Sequence, residues 1–210
     1  MDRSFYEGRD LSLAHQTILG IIEPGSSVLD VGCGGGLLAR VLRENAGCTV
    51  TGVEYDPERA VHAEPWVHKL VVGDISTPSV WDQIGECFDF VVFADVLEHL
   101  IDPGGVLLRC REVLSTKGRV VASIPNVAYY RIRKDLLLGR FEYQPWGILD
   151  KTHLRFFTAK TARALFADAG YDVEEFVRVF SNRKNELLGK LSPNAFAYQF
   201  VIKASPAEPA

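Results

Sequence analysis

Apolar residues recur along the chain at two alternating periods. Between residues 11 and 22 they have helical spacing, and Pro24-Gly25 ends the helix predicted there. A short apolar run over 26–31 leads into a glycine cluster, after which apolar residues again recur at helical spacing from Leu37. This pattern predicts a strand, a tight loop and a helix in that order.

The same alternation continues towards the C-terminus. Further strands are predicted at Thr49–Glu54, Lys69–Val72, Phe88–Ala94, 119–124, 172–180 and 195–203, and helices at Pro57–Ala63, 104–114 and 158–170, the last with Thr158 as its N-cap and Gly170 at its end. The runs up to residue 124 are continuously apolar, which is typical of strands covered on both faces. The predicted fold class is therefore α/β, with a doubly wound, Rossmann-like and mostly parallel sheet between two helix layers.

Residues 126–157 interrupt this alternation. A compact domain uses about 2 to 6 residues for such a connection. The segment is too aromatic for disorder, since it holds Tyr129, Tyr130, Phe141, Tyr143, Trp146, Phe156 and Phe157. We expect an insertion or lid within a single domain over 1–204, followed by a frayed tail at 205–210 that is rich in Pro and Ala.

The composition is that of an ordinary globular protein, since 47% of the 210 residues are hydrophobic and 24% are charged. It excludes collagen-like, wholly disordered and disulfide-scaffold proteins. The net charge of -4 gives no general affinity for nucleic acid. No signal-peptide core or membrane-spanning run is visible, so a cytoplasmic location is expected. The cysteines have no CxxC spacing and are expected to be buried, reduced thiols: Cys33, Cys48, Cys87 and Cys110.

A glycine-rich loop joins the first predicted strand to its helix. The run from Asp30 reads Asp-Val-Gly-Cys-Gly-Gly-Gly, and its glycines allow close backbone approach to a nucleotide-like ligand. The dinucleotide pattern G-x-G-x-x-G needs glycine at position 37, where Leu37 stands, so a pyrophosphate is disfavoured. Glu54 and Asp74 follow the next two strands, which places three acids at the carboxyl edge of the sheet. Such an edge favours a ligand with ammonium and sulfonium groups, S-adenosylmethionine.

Taken in order, these motifs resemble those of class I S-adenosylmethionine-dependent methyltransferases over roughly residues 10 to 180. The resemblance rests on VLDVGCGGG at 28–36, VEYD at 53–56, GDI at 73–75, FDFVV at 88–92 and LEH at 97–99. It implies a seven-stranded sheet whose last strand is antiparallel, with S-adenosylhomocysteine as product. It also implies the cofactor residues: Asp30, Gly32, Cys33 and Gly34 around the methionine moiety, Glu54 on the ribose, Tyr55, Asp74 and Ile75 around adenine, and Ala94 and Asp95 after the fourth strand.

Two histidines are candidates for the base that a hydroxyl acceptor needs, because the sulfonium methyl is already activated. His153 is the preferred base, since it stands in polar company with Asp150 and Arg155 just before a helix. A structural histidine bonded to Asp150 is the alternative. His99 follows the fourth strand and so lies beside the sulfonium, but a Glu-His pair at this place also begins a structural turn.

A divalent metal is a further hypothesis. Asp95, Glu98 and His99 have the i, i+3, i+4 spacing of one helical face and are candidate ligands, with His153 as a fourth. The pattern is similar to the Glu-x-x-Glu-His motif of ubiquinone-pathway O-methyltransferases and plant small-RNA 2′-O-methyltransferases. Asp at position 95 departs from that motif, and its shorter carboxylate leaves the metal open.

Residues 126–157 also bear on the acceptor. With the preceding Pro125, this part of the chain resembles methyltransferases of bacterial polysaccharide and natural-product sugar pathways. Its basic residues either form a solvated helix face or bind an anionic acceptor such as a nucleotide-linked or lipid-linked sugar: Arg131, Arg133, Lys134 and Arg140. Ile132, Leu136 and Leu137 have helical spacing suited to a membrane surface or a partner subunit, so monomer and homodimer both stay open.

The sequence therefore predicts an S-adenosylmethionine-dependent methyltransferase that acts on a hydroxyl of a small metabolite, a sugar or glycosylated compound. N-methylation of an amino sugar or amine is the alternative among enzymes. A non-catalytic module that binds S-adenosylmethionine is the alternative outside them. A nicotinamide dehydrogenase is disfavoured by Leu37 and by the acids of the sheet edge.

Overall fold

A computed structural model describes residues 11–207 and contains one seven-stranded sheet. Its strands are β1 Ser27–Val31, β2 Thr49–Glu54, β3 Lys69–Val72, β4 Phe88–Ala94, β5 Leu114–Pro125, β6 Tyr171–Val179 and β7 Gln199–Pro206. The strand order is β3-β2-β1-β4-β5-β7-β6. Strands β1 to β5 pair in parallel, whereas β7 is antiparallel to both β5 and β6. This confirms the predicted fold class, including the antiparallel last strand.

Helices cover the sheet and connect its strands. They are α1 Leu13–Ile21, α2 Leu37–Ala46, α3 Pro57–Ala63, α4 Pro78–Ile84, α5 Pro103–Cys110, α6 Tyr130–Leu137, α7 Ala159–Asp168, α8 Arg183–Gly189 and α9 Pro193–Phe196, with single 3-10 turns at Glu64–Trp66 and Leu97–His99. Thr158 caps α7 as predicted: its side chain accepts from the Thr161 N–H, and the Thr161 hydroxyl accepts from the Thr158 N–H.

The core lies on both faces of the sheet, as the apolar strands predict. Successive side chains of a strand point to opposite faces. In β1, Leu29 packs in the layer that contains Phe166 of α7, whereas Val28 packs in the layer that contains Ile18 of α1 and Leu42 of α2. Burying both faces fixes the register of β1, because a slip by one residue would exchange the two layers.

Several predicted boundaries are wrong. The helix predicted over 104–114 is α5, which already ends at Cys110. The strand predicted over 195–203 is β7, which begins only at Gln199 because α9 and a following turn precede it. The tail was predicted to fray from residue 205, but β7 continues through Pro206 because Ser205 and Pro206 pair with the start of β6. Residues 1–10 and 208–210, including the rest of that predicted tail, lie outside the described residues.

Three of the four cysteines are buried as predicted: Cys33, Cys48 and Cys110. Cys87 is exposed instead, because it lies in the turn between α4 and β4.

In the part of the chain that the structure describes, no helix combines the length and the apolar character that crossing a bilayer requires.

The segment 126–157 is closed at its base. Asn126 and Phe157 form a β-bridge, and the Val127 N–H donates to the Phe157 carbonyl at 2.9 Å. Inside the segment, Tyr129, Ile148 and Leu149 form a small apolar cluster of their own. The polypeptide therefore leaves the sheet and returns at one point, while its predicted role as a lid stays a prediction.

Asn126 is the polar residue that holds this closure. It is fully buried, its amide donates to the carbonyls of Asn194 and Ala197 at 2.8 Å each, and its Oδ1 accepts from the Ala128 N–H at 3.0 Å. Asn126→Ala would leave these buried groups without partners, so we expect the free energy of unfolding to fall by about 2–4 kcal/mol. Urea denaturation measures this, with the exposed Gln83→Ala as a control that changes it by less than about 0.5 kcal/mol. Equal losses in the two variants would contradict this role.

Candidate active site

The glycine loop lies at the point where the strand order reverses. Strand β1 has β2 on one side and β4 on the other, and ligands of open α/β sheets bind at the carboxyl end of such a pair. The Gly32 and Cys33 N–H groups donate to the Val53 carbonyl at 2.8 and 3.0 Å. Gly32 has φ of +72°, and a Cβ there would lie 2.6 Å from the Val96 side chain. Only glycine therefore fits this close passage of the loop beside the exit of β4.

Glu54 connects the loop to β2. Its side chain is almost wholly buried, Oε2 accepts from the Gly34 N–H at 2.7 Å, and Oε1 accepts from the Asp56 N–H at 3.0 Å. Each oxygen keeps a further lone pair, so the ribose role stays a prediction that this geometry allows. The sequence did not indicate the second role that Glu54 has here, which is to hold the glycine loop in place.

Asp30, at the end of β1, is buried and incompletely paired. Its Oδ2 has no hydrogen-bond partner among the described residues. Burial, and then the negative charge of Glu54, raise the pKa of Asp30 to about 7. A cationic ligand at this edge would favour the ionised carboxylate. The predicted role of Asp30 and Glu54 towards an ammonium or sulfonium group stays a prediction that this arrangement allows.

The three residues predicted to surround adenine differ in their exposure to solvent. Tyr55 is 70% exposed at the end of β2, as a stacking surface requires. Ile75 is buried, and its carbonyl accepts from the Trp81 indole at 2.7 Å. Asp74 is exposed, and its Oδ1 accepts from the Ser76 N–H. Of the three acids predicted to face one crevice, two are thus buried and the third lies at the surface.

Cys33 and Ala94 are two further residues of the predicted cofactor site. The Cys33 side chain is buried against β2, because a Cβ on Gly52 would lie 2.8 Å from its Sγ. Ala94, the last residue of β4, is half-buried at the same sheet edge. The predicted cofactor contacts of both residues stay predictions.

Asp95 has strained backbone geometry. It is the one non-glycine residue with positive φ, 58°, within residues 11–207. Its Oδ1 accepts from the Ser123 hydroxyl at 2.7 Å and from the Gln199 amide, which ties it to β5 and β7. Strain of this kind is retained where the surrounding structure enforces it, and it occurs often at functional sites.

The predicted helical face of Asp95, Glu98 and His99 does not form. The left-handed conformation of Asp95 breaks the helix, and only the 3-10 turn Leu97–His99 follows. Glu98 and His99 come together with His153 instead, and one potential ligand atom from each lies within 4.8 Å of the others. Asp95 is not one of these three residues, so its candidacy as a metal ligand is not supported by the geometry.

Glu98 is the least compensated residue of this cluster. It is almost wholly buried, and neither carboxylate oxygen has a hydrogen-bond partner among the described residues. Burial, with the charge of Asp95 as the next cause, raises the pKa of Glu98 well above its usual range. The His153 Nε2 lies 3.9 Å from the Glu98 Oε1. A bound cation would compensate such a carboxylate.

The imidazole rings of His99 and His153 pack edge to face, with their centroids 4.7 Å apart. The His153 Nδ1 lies 3.1 Å from the Ile148 carbonyl, so in the neutral tautomer Nδ1 carries the hydrogen and Nε2 offers its lone pair to the cluster. The expected alternative, a side-chain bond to Asp150, is not formed. One carboxylate and two imidazoles are donors that suit a divalent transition metal such as Zn²⁺ or Mn²⁺, so the residues present fit a metal.

Asp150 acts on the other histidine. The His99 Nδ1 lies 3.2 Å from the Thr152 hydroxyl, which donates to the Asp150 Oδ1 at 2.7 Å. The Leu154 and Arg155 N–H groups donate to the Glu98 carbonyl at 2.8 and 3.0 Å. These bonds fasten the stretch from 150 to 155 onto the turn after β4. Thr152 was missed from the sequence, where the short Asp-Lys-Thr turn is its one signal.

His15 is a second residue that the sequence analysis missed. It lies on α1, and its Nδ1 is 2.9 Å from the Ser12 hydroxyl. Burial lowers the pKa of His15, while the charge of Asp95 acts in the opposite direction. The imidazole is therefore near enough to Asp95 to interact with it. Its position next to the apolar stripe of α1 was the available signal.

A cavity of about 540 Å³ opens beside the cluster. Ile148 connects the cavity to the cluster, because it lines the cavity and its carbonyl accepts a hydrogen bond from the His153 Nδ1. Aromatic and planar polar side chains line it together, among them Tyr129, Arg131, Asp135, Arg140, Glu142, Gln144, Trp146 and Tyr198. At its edge, the Asn185 amide donates to the Tyr129 hydroxyl at 2.7 Å and to the Ser181 hydroxyl at 2.8 Å.

The strand order, the glycine loop and the buried acids at the switch point are those expected of the Rossmann-like methyltransferase class. Residues 3–175 match the model of the family described as "Methyltransferase domain". The match covers most of the chain, so the chain belongs to this methyltransferase family. The expected S-adenosylmethionine-dependent class is thereby confirmed, and S-adenosylmethionine is the methyl donor of that class.

Curated relatives match a shorter stretch. Ubiquinone biosynthesis O-methyltransferases from Pseudomonas entomophila (strain L48) and Pseudomonas fluorescens (strain Pf0-1) are each 35% identical over 108 residues, which is 49% of this chain and 45% of theirs. The chain thus spans about half the length of the curated relatives it matches. The narrower likeness to sugar-pathway enzymes is not confirmed by these relatives.

Solved structures share the fold at low sequence identity. Magnesium protoporphyrin IX methyltransferase from Synechocystis PCC 6803, with bound SAH, has a TM-score of 0.66 at 17% identity and covers 98% of this chain and 92% of its own. A TehB-like SAM-dependent methyltransferase from Corynebacterium glutamicum has a TM-score of 0.62 at 20% identity, over 95% and 90%. The described part of the chain, residues 11–207, therefore shares the fold of these structures.

The raised pKa of Asp30 gives a testable pH dependence. Its folded-state pKa of about 7 exceeds its ordinary value of 3.8, which applies to the unfolded chain. Between these two pH values the folded protein binds more protons than the unfolded chain, so the free energy of unfolding falls as the pH rises. We expect Asp30→Asn to gain free energy of unfolding relative to wild type, by up to about 1.4 kcal/mol per pH unit between pH 5 and 7. Denaturant titrations without cofactor measure this, with the exposed Asp172→Asn as control. A difference that does not change with pH would contradict it.

Proposed function

We propose that this chain transfers the methyl group of S-adenosylmethionine to a hydroxyl group of a sugar or glycosylated small metabolite. The observation that carries the proposal is the Glu98, His99 and His153 cluster, which lies after β4 and adjoins a cavity through Ile148. The acceptor hydroxyl is proposed to lie at the Ile148 end of that cavity, next to His153.

The cofactor is proposed to bind across the exits of β1 and β2. Asp30 and Glu54 would favour its positive charge, and the loop from Gly32 to Gly34 would approach its methionine part. Glu54 would take the ribose hydroxyls, and Tyr55 would cover the adenine. The chain thereby orients an electrophile that needs no further activation.

Glu98, His99 and His153 are proposed to hold a divalent metal. When bound, that ion would lower the pKa of a coordinated acceptor hydroxyl. The contribution of the chain is to fix the donor atoms: Thr152 orients His99, the Ile148 carbonyl sets the tautomer of His153, and burial excludes water from Glu98. In the metal-free alternative, His153 itself is the base and His99 its neighbour.

The cavity lining supports a sugar as acceptor. Trp146 and Tyr198 offer flat apolar faces, and carboxylate, amide and guanidinium groups beside them can bind several hydroxyls in one plane. Arg131 and Arg140 are balanced by Asp135 and Glu142, so the cavity suits a polar ring better than a bare anion. The competing functions are methylation of an amine and non-catalytic binding of S-adenosylmethionine.

Cofactor binding is tested with one variant and its control. Glu54→Gln keeps the size of the side chain but loses its charge, so we expect the affinity for S-adenosylmethionine to fall at least about tenfold, which corresponds to roughly 1.4 kcal/mol. Titration calorimetry measures the affinity, and Glu58→Gln on the exposed first turn of α3 serves as the matched control. Unchanged binding by Glu54→Gln would argue against the proposed pocket.

Acceptor activation is tested by activity and metal dependence together. Glu98→Gln and His153→Ala should each slow methyl transfer by at least about 100-fold while S-adenosylmethionine still binds. A chelator should abolish wild-type turnover, and Mn²⁺ or Zn²⁺ should restore it; chelator-resistant turnover that still needs His153 would assign the base role instead. The acceptor panel contains nucleotide sugars, simple glycosides, an amino sugar and a catechol, with product mass measured. Cofactor binding without turnover on any of them would favour the non-catalytic alternative.

A further inference from the structure

One face of the protein presents large apolar side chains to solvent. None of the eight residues of α6, all of which the structure describes, is buried. Leu137 is 88% exposed at the end of α6, and Trp146 in the following loop is 76% exposed. On the neighbouring part of the surface, Leu191 after α8 is 87% exposed. Apolar groups in such number on one face mark an interaction surface rather than ordinary scatter.

The two segments that carry these side chains are adjacent. The Tyr129 hydroxyl, just before α6, accepts from the Asn185 amide in α8. The Tyr130 ring lies 5.2 Å from the Phe196 ring, centroid to centroid. Residues 130–146 and 183–191 therefore form one surface, here called the apolar-basic face.

The excess of basic residues on this face indicates the kind of partner that it can bind. It carries seven basic and three acidic residues, although the whole chain has a net charge of -4. A second copy of the chain would bring the same excess of positive charge against it, which disfavours symmetric self-association. Leucine and tryptophan side chains among lysines and arginines are complementary to an anionic lipid surface, where apolar groups enter the headgroup boundary and basic groups meet phosphates.

We propose that the apolar-basic face binds the surface of an anionic lipid bilayer. The association is peripheral, with Leu137, Trp146 and Leu191 entering the interface and the basic residues of α6 and α8 above it. Arg131 and Arg140 belong both to this face and to the cavity. It follows, resting on the proposed function, that the cavity would meet an acceptor whose lipid anchor stays in the membrane.

Vesicle co-sedimentation of the full chain tests this without cofactor or acceptor. We expect binding to phosphatidylcholine vesicles containing about 30% phosphatidylglycerol, release at high salt, and no binding to phosphatidylcholine alone. Leu137→Asp and Leu191→Asp should each weaken binding at least about tenfold. Lys134→Gln and Lys190→Gln should each weaken it about fivefold. Leu108→Asp, on the exposed side of α5, is the matched control and should bind like wild type.

Several results would overturn the proposal. They are absence of binding to the anionic vesicles, binding that is equal on both vesicle types, or an equal loss in Leu108→Asp. A dimer seen by analytical ultracentrifugation and dissociated by Leu137→Asp would assign the face to a second copy instead. Calorimetry with S-adenosylmethionine on the same variants distinguishes the two proposals. If only the membrane proposal fails, S-adenosylmethionine still binds. If only the proposed function fails, the vesicles still bind.

Discussion

The constraint on which the rest of this structure depends is the burial of carboxyl groups that no lysine or arginine neutralises. Asp30, Glu54 and Glu98 are almost wholly buried near the carboxyl edge of the sheet, and within residues 11–207 none of them forms a salt bridge with lysine or arginine. Removing a carboxylate from water without compensation is costly. The raised pKa values of Asp30 and Glu98 express this cost, because burial favours the neutral form of each carboxyl group. What the site lacks is therefore positive charge, and a sulfonium cofactor and a metal ion are ligands that provide it.

The sequence predicted what depends on local pattern. The strand and helix alternation follows from the period of apolar residues, and the loop at Gly32 follows from a backbone that only glycine can adopt. Both are properties of a few neighbouring residues, so they can be read without knowing the rest of the fold. The pairing of β7 with the start of β6 depends on contacts across the sheet, and for that reason the tail prediction was wrong at Ser205 and Pro206.

The site was predictable in its composition but not in its assembly. His99 and His153 were both candidates, yet their meeting requires the stretch from 150 to 155 to be fastened to the Glu98 carbonyl, across more than fifty residues of chain. The exclusion of Asp95 depends on a single left-handed residue held by Ser123 and Gln199. No periodicity in the sequence indicates such a conformation for an aspartate. Spacing alone therefore suggested a helical face that the backbone does not form.

The closure of residues 126–157 at Asn126 and Phe157 has an evolutionary consequence. Because both ends meet at one point, the inserted stretch could be exchanged between homologues without altering the strand order beneath it. His153 lies inside that stretch, whereas Asp30 and Glu54 lie outside it. Recombination at this junction would transmit residues 126–157, with one of the two clustered imidazoles, as a single heritable unit.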